Sequence, residues 1–249
     1  MTKQVLVVTG GSTGIGAAVA RLAAARGYAV GLSYKASRAP AERLVADIRA
    51  AGGKAIAVQA DSADETQTAA FFAEVDRSLG PVTALVNNAG ITGPAGKLEE
   101  VDSAALDEVL AINVRGCFIA LRHAITRMAT DLGGPGGAVV NIGSRASALG
   151  GPNEWVHYAA SKGAVDSLTI GASKELAPRG IRVNAVSPGL IDTDIHAKAG
   201  MADRPERMRA QIPMGRAGTA DEVAKVVLWL LSDEASYVTG AIVPVGGGR

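Results

Sequence analysis

The sequence predicts an α/β fold, a Rossmann-type doubly wound parallel sheet of seven strands flanked by helices in a single domain spanning residues 1–249. Three observations carry this reading. Short β-rich runs alternate with longer helical patterns from one end of the chain to the other, and no charged or Pro/Ser-rich linker separates two halves. Glycine supplies 31 of 249 residues, about 12% against a usual ~7%, which marks many places where backbone turns sharply or approaches something closely.

Taken in order, Val5-Leu6-Val7-Val8 is a continuous apolar run of the kind buried on both faces of a parallel sheet. Ile15, Val19 and Leu22 follow at helical spacing, and Gly27 is placed to end that helix. Residues 28–33 read as a second strand, followed by a helix carrying Leu44 and Ile48 that stops at Gly52 and Gly53. Residues 55–60 form a third strand, and Ser62-Ala63-Asp64-Glu65 reads as a capping box opening a helix that reaches Leu79. A strand at 84–87, a long helix over about 102–128 and a strand at 138–142 come next. A helix over about 155–177, a strand at 181–186, a helix at 221–231 and a strand near 241–245 complete the pattern. Strands alternating with helices imply right-handed βαβ units, and ligands of such sheets sit at the carboxyl ends of the strands.

Composition narrows the function classes. Twenty-five Lys and Arg against 24 Asp and Glu leave a formal charge of +1, so no whole-chain field recruits polyphosphate backbones or anionic lipid. Met1-Thr2-Lys3-Gln4 runs into a short strand-like segment without a secretory pattern, and no run approaches the ~18 to 20 apolar residues of a membrane span. Cys117 stands alone, which excludes an intrachain disulfide and a Cys-cluster metal site. The expectation is a cytoplasmic protein with no metal, nucleic-acid or membrane partner.

Thr9-Gly10-Gly11-Ser12-Thr13-Gly14-Ile15-Gly16 joins the first strand to the first helix. The G-x-G-x-x-G pattern does not fit, because Ser12 stands where its second glycine belongs; the match is G-x-x-x-G-x-G through Gly10, Gly14 and Gly16. The physics is shared, since residues without Cβ let the backbone approach a pyrophosphate whose charge rests on a helix N-terminus. A phosphate-binding Walker loop has compatible spacing from Gly11 to Gly16 but fails at Ala17-Ala18, where Lys-Ser/Thr is required. A tight turn that binds nothing is the plainer alternative.

The end of the second strand reads Ser33-Tyr34-Lys35-Ala36-Ser37-Arg38 and lacks the carboxylate that would accept from the ribose hydroxyls of NAD. Lys35 and Arg38 can pair with the 2′-phosphate of NADP, helped by the Ser33 hydroxyl, so NADP is preferred over NAD. The alternative for both cations is ordinary solvated loop charge.

Tyr158 and Lys162 lie four apart near the start of a helix and so share a face. A cation beside a phenol favours its charged form, which is what moving a proton at a carbinol oxygen requires while hydride moves at carbon. Ser144 closes Asn141-Ile142-Gly143-Ser144 at a strand end, where its hydroxyl can hold a substrate oxygen. Asn87-Asn88-Ala89-Gly90 ends the fourth strand, and Asn113 sits in mid-helix, an unfavourable place for an Asn without a purpose.

Together with Pro188-Gly189, these segments resemble the short-chain dehydrogenase/reductase family along essentially the whole chain, in its compact form. The resemblance implies a catalytic tetrad of Asn113, Ser144, Tyr158 and Lys162: Tyr as acid/base, Lys assisting it and binding the nicotinamide ribose, Ser orienting substrate, Asn supporting a water relay to Lys. Cofactor contacts are expected at Gly10, Ser12, Thr13, Gly14, Ile15 and Gly16, at Ser33, Tyr34, Lys35 and Arg38, and at Asp61 and Ser62 beside adenine. Asn88, Ala89 and Gly90 line the adenosine side; Pro188, Gly189, Ile191 and Thr193, with Tyr158 and Lys162, complete the nicotinamide end. Two departures from the family pattern stand out. One extra residue separates Ser144 from Tyr158, assigned to the Gly150-Gly151-Pro152-Asn153 loop, and Ser62 replaces a more usual apolar residue. Ser147 is a fallback for Ser144.

His157 adjoins Tyr158 but points to a different helical face, His123 and His196 lack metal-ligand spacing, and Cys117 reads as a core residue. Asp192, Asp194, Lys198 and the charges at 204–209 belong to a substrate-lid segment at about 190–216. The expected activity is hydride exchange between NADP(H) and a secondary alcohol or ketone, the members most resembled being glucose-1-dehydrogenase-like and 3-oxoacyl-carrier-protein-reductase-like. A sugar or small carbonyl compound is preferred as substrate, since Met128-Ala129-Thr130-Asp131-Leu132 offers no cation to an acidic carrier protein, although Lys174 could serve. A catalytically silent cofactor sensor or scaffold is the non-enzyme alternative. The resemblance also implies a homotetramer.

Overall fold

Val5–Val8 forms the interior strand β1, with every side chain buried, as its uninterrupted apolar run requires. In the computed structural model, which describes residues 4–193, 201 and 203–249, it is followed by α1 (Gly14–Ala25), β2 (Ala29–Tyr34), α2 (Arg38–Ala50), β3 (Lys54–Gln59) and α3 (Glu65–Leu79). β4 (Ala84–Asn87) leads into α4 (Ser103–Leu110), which continues through a π-turn at Ala111–Arg115 into α5 (Gly116–Met128). Next come β5 (Gly137–Ile142), the short α6 (Ala146–Leu149), α7 (Val156–Leu176) and β6 (Ile181–Pro188). β7 (Ile191–Asp192) and α8 (Arg204–Met208) follow, then β8 (Gly218–Thr219) pairs with β7. α9 (Ala220–Leu231) and β9 (Ile242–Val245) close the fold.

The seven main strands form one parallel sheet in the order β3-β2-β1-β4-β5-β6-β9. The strand order reverses between β1 and β4, so a crevice opens beyond their carboxyl ends. One apolar layer joins α1, α2 and α9 to one face of the sheet, and a second joins α3, α5 and α7 to the other. Gly31 in β2 explains how closely α3 packs, because a Cβ there would lie 2.4 Å from Val75 Cγ2.

Two local expectations are corrected. α3 is capped by Asp64, not Ser62: the Asp64 carboxylate accepts from Gln67 N at 2.9 Å and from Gln67 Nε2 at 2.9 Å, a stronger acceptor than a hydroxyl. The long helix over 102–128 is interrupted, because the π-turn inserts a residue around Asn113. The Ser144–Tyr158 insertion coincides with a loop in which Gly150, Gly151 and Asn153 all have left-handed backbone, with φ of 76°, 58° and 61°. Asp194, His196 and Lys198, together with Met1, Thr2 and Lys3, lie outside the described residues. No described helix is long and apolar enough to cross a membrane, and no metal-binding cluster occurs among the described residues.

Candidate active site

The glycine turn is built as an open cradle. Gly10 and Gly14 have φ of 61° and 54°, and a Cβ on Gly10 would strike Ala89 Cα at 2.9 Å. Thr13 occupies the N-cap of α1 without a side-chain capping bond, so the first-turn N–H groups of Gly14, Ile15 and Gly16 remain available to an anion. Ser12 is buried beside them. The turn is stitched to the end of β4: Thr9 Oγ1 accepts from Asn88 N (3.0 Å) and Ala89 N (3.1 Å), and Asn88 Nδ2 donates to the Thr9 and Gly10 carbonyls (3.0 and 2.9 Å). Thr193 faces Gly14, 3.5 Å from where a Cβ would stand, so the segment after β7 meets the cradle.

At the ends of β2 and β3 the register sets Tyr34 against Gln59 and brings the next residues together. Lys35 Nζ lies 2.8 Å from Asp61 Oδ2, and Arg38 Nη2 donates to Gln59 Oε1 at 3.1 Å. The Asp61 hydrogen bond holds the Lys35 ammonium above its ordinary value. Burial pushes the Asp61 carboxyl up, but Lys35 and the Ala63 N–H outweigh it, so that Asp61 sits below the usual carboxylate range. Lys35 and Asp61, expected at separate cofactor positions, are thus one ion pair. Ser33 is buried, and its Oγ accepts from Gly10 N at 3.2 Å, bracing the cradle. Tyr34 is buried in the core layer, whereas Ser62 is half-buried against Gly116.

A second group converges at the ends of β4 and β5. Lys162 is buried; its Nζ donates to Ile142 O at 2.8 Å and lies 5.7 Å from the centre of the Tyr158 ring, as the four-residue spacing on α7 requires. Asn113 is buried in the π-turn, where its Oδ1 accepts from Ile91 N (2.9 Å) and its Nδ2 donates to Ile91 O (2.8 Å) and Ser161 Oγ (3.0 Å). That double clasp on the segment after β4 is the purpose of a mid-helix Asn. Gly90 fills the gap between the two, since a Cβ there would stand 3.2 Å from Asn113 Oδ1 and 3.4 Å from Lys162 Nζ. Ser144 Oγ accepts from Ala146 N at 3.1 Å, while Ser147 Oγ donates to the Ser144 carbonyl at 2.8 Å. Ser147 therefore shapes the loop that presents Ser144. Pro188 and Gly189 end β6 beside them, tied by Arg145 N to Pro188 O and by Gly189 N to Val245 O, and Ile191 is buried in the core.

Thr9 and Ser161 are the residues that motif reading passed over. Both were signalled only by adjacency, Thr9 to the glycine turn and Ser161 to Lys162; Ser161 Oγ also donates to Tyr158 O at 2.7 Å. Among the remaining candidates, Cys117 is buried and burial pushes its thiol up to about 11, as suits a packing residue. His157 is buried with neither ring nitrogen hydrogen-bonded, and His123 stacks on Phe72, its ring 5.3 Å away.

The family model described as Enoyl-(Acyl carrier protein) reductase matches residues 10–249. The chain is 49% identical over 245 residues to an uncharacterized oxidoreductase, YgfF, of Escherichia coli K12, covering 98% of this chain and 99% of that one. It is 40% identical over 248 residues to the 3-oxoacyl-[acyl-carrier-protein] reductase FabG of Staphylococcus aureus Mu50, covering 100% of this chain and 98% of that one. Among solved structures, a blue fluorescent protein from a metagenomic library in complex with NADPH aligns with a TM-score of 0.89 and 39% identity, over 98% of this chain and 97% of that one.

Proposed function

The chain belongs to the short-chain dehydrogenase/reductase family and is an oxidoreductase, and from that premise we propose that it exchanges hydride between NADP(H) and a secondary alcohol or ketone. The observation that carries the proposal is the convergence of Ser144, Tyr158 and the buried Lys162 beside an open glycine cradle at the strand-order reversal. The cradle fits a dinucleotide: its glycines leave room that side chains would fill, and its helix N-terminus is uncapped. Gly10, Ser12, Thr13, Gly14, Ile15 and Gly16 would hold the pyrophosphate, Asn88 to Gly90 the adenosine side, and Pro188, Gly189, Ile191 and Thr193 the nicotinamide end. Lys35 and Arg38, with Asp61 and Ser62 alongside, favour the 2′-phosphate of NADP, and the NADPH-bound structural relative supports that choice.

When bound, the nicotinamide supplies or accepts the hydride. The Tyr158 hydroxyl gives its proton to the carbonyl oxygen in reduction and takes it back in oxidation. The Lys162 ammonium stabilises negative charge that develops on the phenol oxygen as the proton leaves. Ser144 Oγ already accepts from Ala146 N, so its own proton is free to orient the substrate oxygen. Asn113 is a positioning residue, because its amide is spent on Ile91 and Ser161; a water relay to Lys162 would use its main chain. Tyr158→Phe tests the assignment. The variant should still bind NADPH, followed by quenching or shift of its fluorescence, and lose carbonyl reduction by about 10²–10⁴-fold; near-normal turnover refutes the mechanism.

Residues 190–216 are read as the substrate lid, and a sugar or small carbonyl compound as substrate. Reduction of 3-oxoacyl groups on a carrier protein is the second reading, favoured by the Staphylococcus aureus relative. Against it, Arg122 and Arg127 on α5 are already paired with Glu65 and Asp76. Comparing carrier-bound 3-oxoacyl thioesters with free ketones separates the two. Leu110 and Phe118 on the α4–α5 unit and Ile170 on α7 are exposed apolar side chains that a homotetramer would cover, which light scattering checks.

A further inference from the structure

Three arginines from distant parts of the chain gather beyond the Ser144 end of the site. Arg145 directly follows Ser144, and its Nε donates to the Arg249 main-chain oxygen at 2.8 Å. Arg204, on α8 of the lid region, is clasped through Nε (3.1 Å) and Nη2 (2.7 Å) to Glu154 Oε2 and lies 4.7 Å over the Trp155 ring. Both Glu154 and Trp155 belong to the loop that opens α7, the helix of Tyr158. Arg249 approaches the same group from the segment after β9, and its guanidinium has no acceptor among the described residues.

The Arg249 guanidinium is therefore the cation of the group with donors to spare. Partial burial, and then the nearby Arg204 charge, press the Arg249 group below its ordinary value, with Glu154 acting weakly the other way. Glu154 is committed to Arg204 and the Arg249 main-chain oxygen to Arg145, so neither acceptor is left for the Arg249 guanidinium. The segment carrying Arg249 walls a cavity of about 450 Å³ with Arg145, Leu190 and Met214. The remaining charges on its wall, Arg216 and Glu222, are paired with each other at 2.6 Å. A planar guanidinium with free donors, beside a second cation and an open cavity, is suited to receive a planar or tetrahedral oxyanion.

We propose that Arg249, flanked by Arg145 and Arg204, is an anion subsite for the substrate, so that the favoured carbonyl compounds carry a carboxylate or phosphate remote from the reacting carbon. This deepens the oxidoreductase reading and rests on it. Neutral sugars then become poorer substrates than oxo acids or keto phosphates. α8 also gains a role, because Arg204 ties it to Glu154 and Trp155 beside the proposed subsite.

The test measures NADPH oxidation with a series of straight-chain oxo acids, each against its methyl ester, and with a keto phosphate against its keto alcohol. The wild type should prefer one class of anion over its neutral partner by about 10–100-fold in kcat/KM, the worth of a charge-assisted contact. In Arg249→Gln the ratio should collapse toward one, and Arg249→Lys should recover part of it. Which pair discriminates tells carboxylate from phosphate. A wild-type ratio near one throughout, or a ratio that survives Arg249→Gln, overturns the subsite. If neither anions nor neutral compounds are reduced, the activity reading fails, and the subsite is judged by acid- or phosphate-induced change in the fluorescence of bound NADPH. Loss of that change in Arg249→Gln upholds the subsite; no change with the wild type overturns it.

Discussion

Replacing Asn113 with Ala isolates what the π-turn is for. The amide makes three hydrogen bonds, two of them to the main chain of Ile91 and one to Ser161 Oγ. Ser161 keeps its donation to the Tyr158 carbonyl, so the variant strands chiefly the N–H and C=O of Ile91. An unsatisfied buried group costs about 1–3 kcal/mol, and Ile91 is only part-buried, so water recovers some of the loss and about 2–4 kcal/mol remains. That is a large share of the ~5–15 kcal/mol that holds a domain together, and for a chain of this size it lowers the melting temperature by roughly 4–10 °C. Activity should fall further than stability suggests, because the released segment carries Gly90, which separates Asn113 from Lys162. Calorimetry gives the first number, and kcat measured well below the new melting temperature gives the second. Combining Asn113→Ala with Ser161→Ala should be non-additive, since the two share a bond. A melting temperature within ~1 °C of wild type, with kcat unchanged, would show that the double clasp contributes nothing and would refute the reasoning.

Removing Lys35 and Arg38 together (both to Ala) should lower the NADPH-to-NADH ratio of kcat/KM by about 10–100-fold, partly by leaving Asp61 unbalanced beside the adenosine side; an unchanged ratio returns both cations to the solvated loop. Glu222 is held down to about 2, first by Arg216 and then by the Thr219 N–H at the start of α9. Its folded value lies below the ordinary ~4.3, so its contribution is full above that pH and disappears as pH falls toward 2. The melting-temperature gap between wild type and Glu222→Gln should therefore narrow across that window, and a gap independent of pH contradicts the pairing. Gly31→Ala should destabilise by about 1–3 kcal/mol through the clash with Val75, and Val75→Ala should restore part of it; denaturant midpoints decide, a lone Gly31→Ala without effect being the contrary result.

What could be read in the chain followed from short-range physics. Val5–Val8 announces a buried parallel strand because nothing polar interrupts it, and Tyr158 and Lys162 announce a shared face because four residues make about one helical turn. The cap of α3 misled for an equally local reason: Ser62 with Glu65 and Asp64 with Gln67 are overlapping capping patterns, and only the folded loop shows the carboxylate taking both Gln67 donors. The π-turn was hidden because one inserted residue shifts the apolar periodicity too little to register, although Asn113 itself stood out. Pairings across the sheet were beyond reach for a different reason. Lys35 meets Asp61 only because β2 and β3 run in a register that sets Tyr34 beside Gln59, and register is a property of the assembled sheet. Arg249 meets Arg204 and Glu154 by the same kind of long-range convergence.

The two halves of the site are mechanically one. Thr9 Oγ1 fastens the glycine turn to Asn88 and Ala89, two residues further on Ile91 is held by Asn113, Asn113 reaches Ser161, and Ser161 donates to the carbonyl of Tyr158. Each link joins the end of one element to another: β1 to β4, β4 to the π-turn, the π-turn to α7. Lys162 closes the circuit to β5 through the Ile142 carbonyl, next to the loop that presents Ser144. On the proposed function, a dinucleotide in the cradle and a proton donor on α7 would share a hydrogen-bonded frame, with Gly90 as the small residue that lets Asn113 and Lys162 approach each other. Under that proposal cofactor position and proton position would not need separate tuning, because both would lie at the strand ends beside the strand-order reversal.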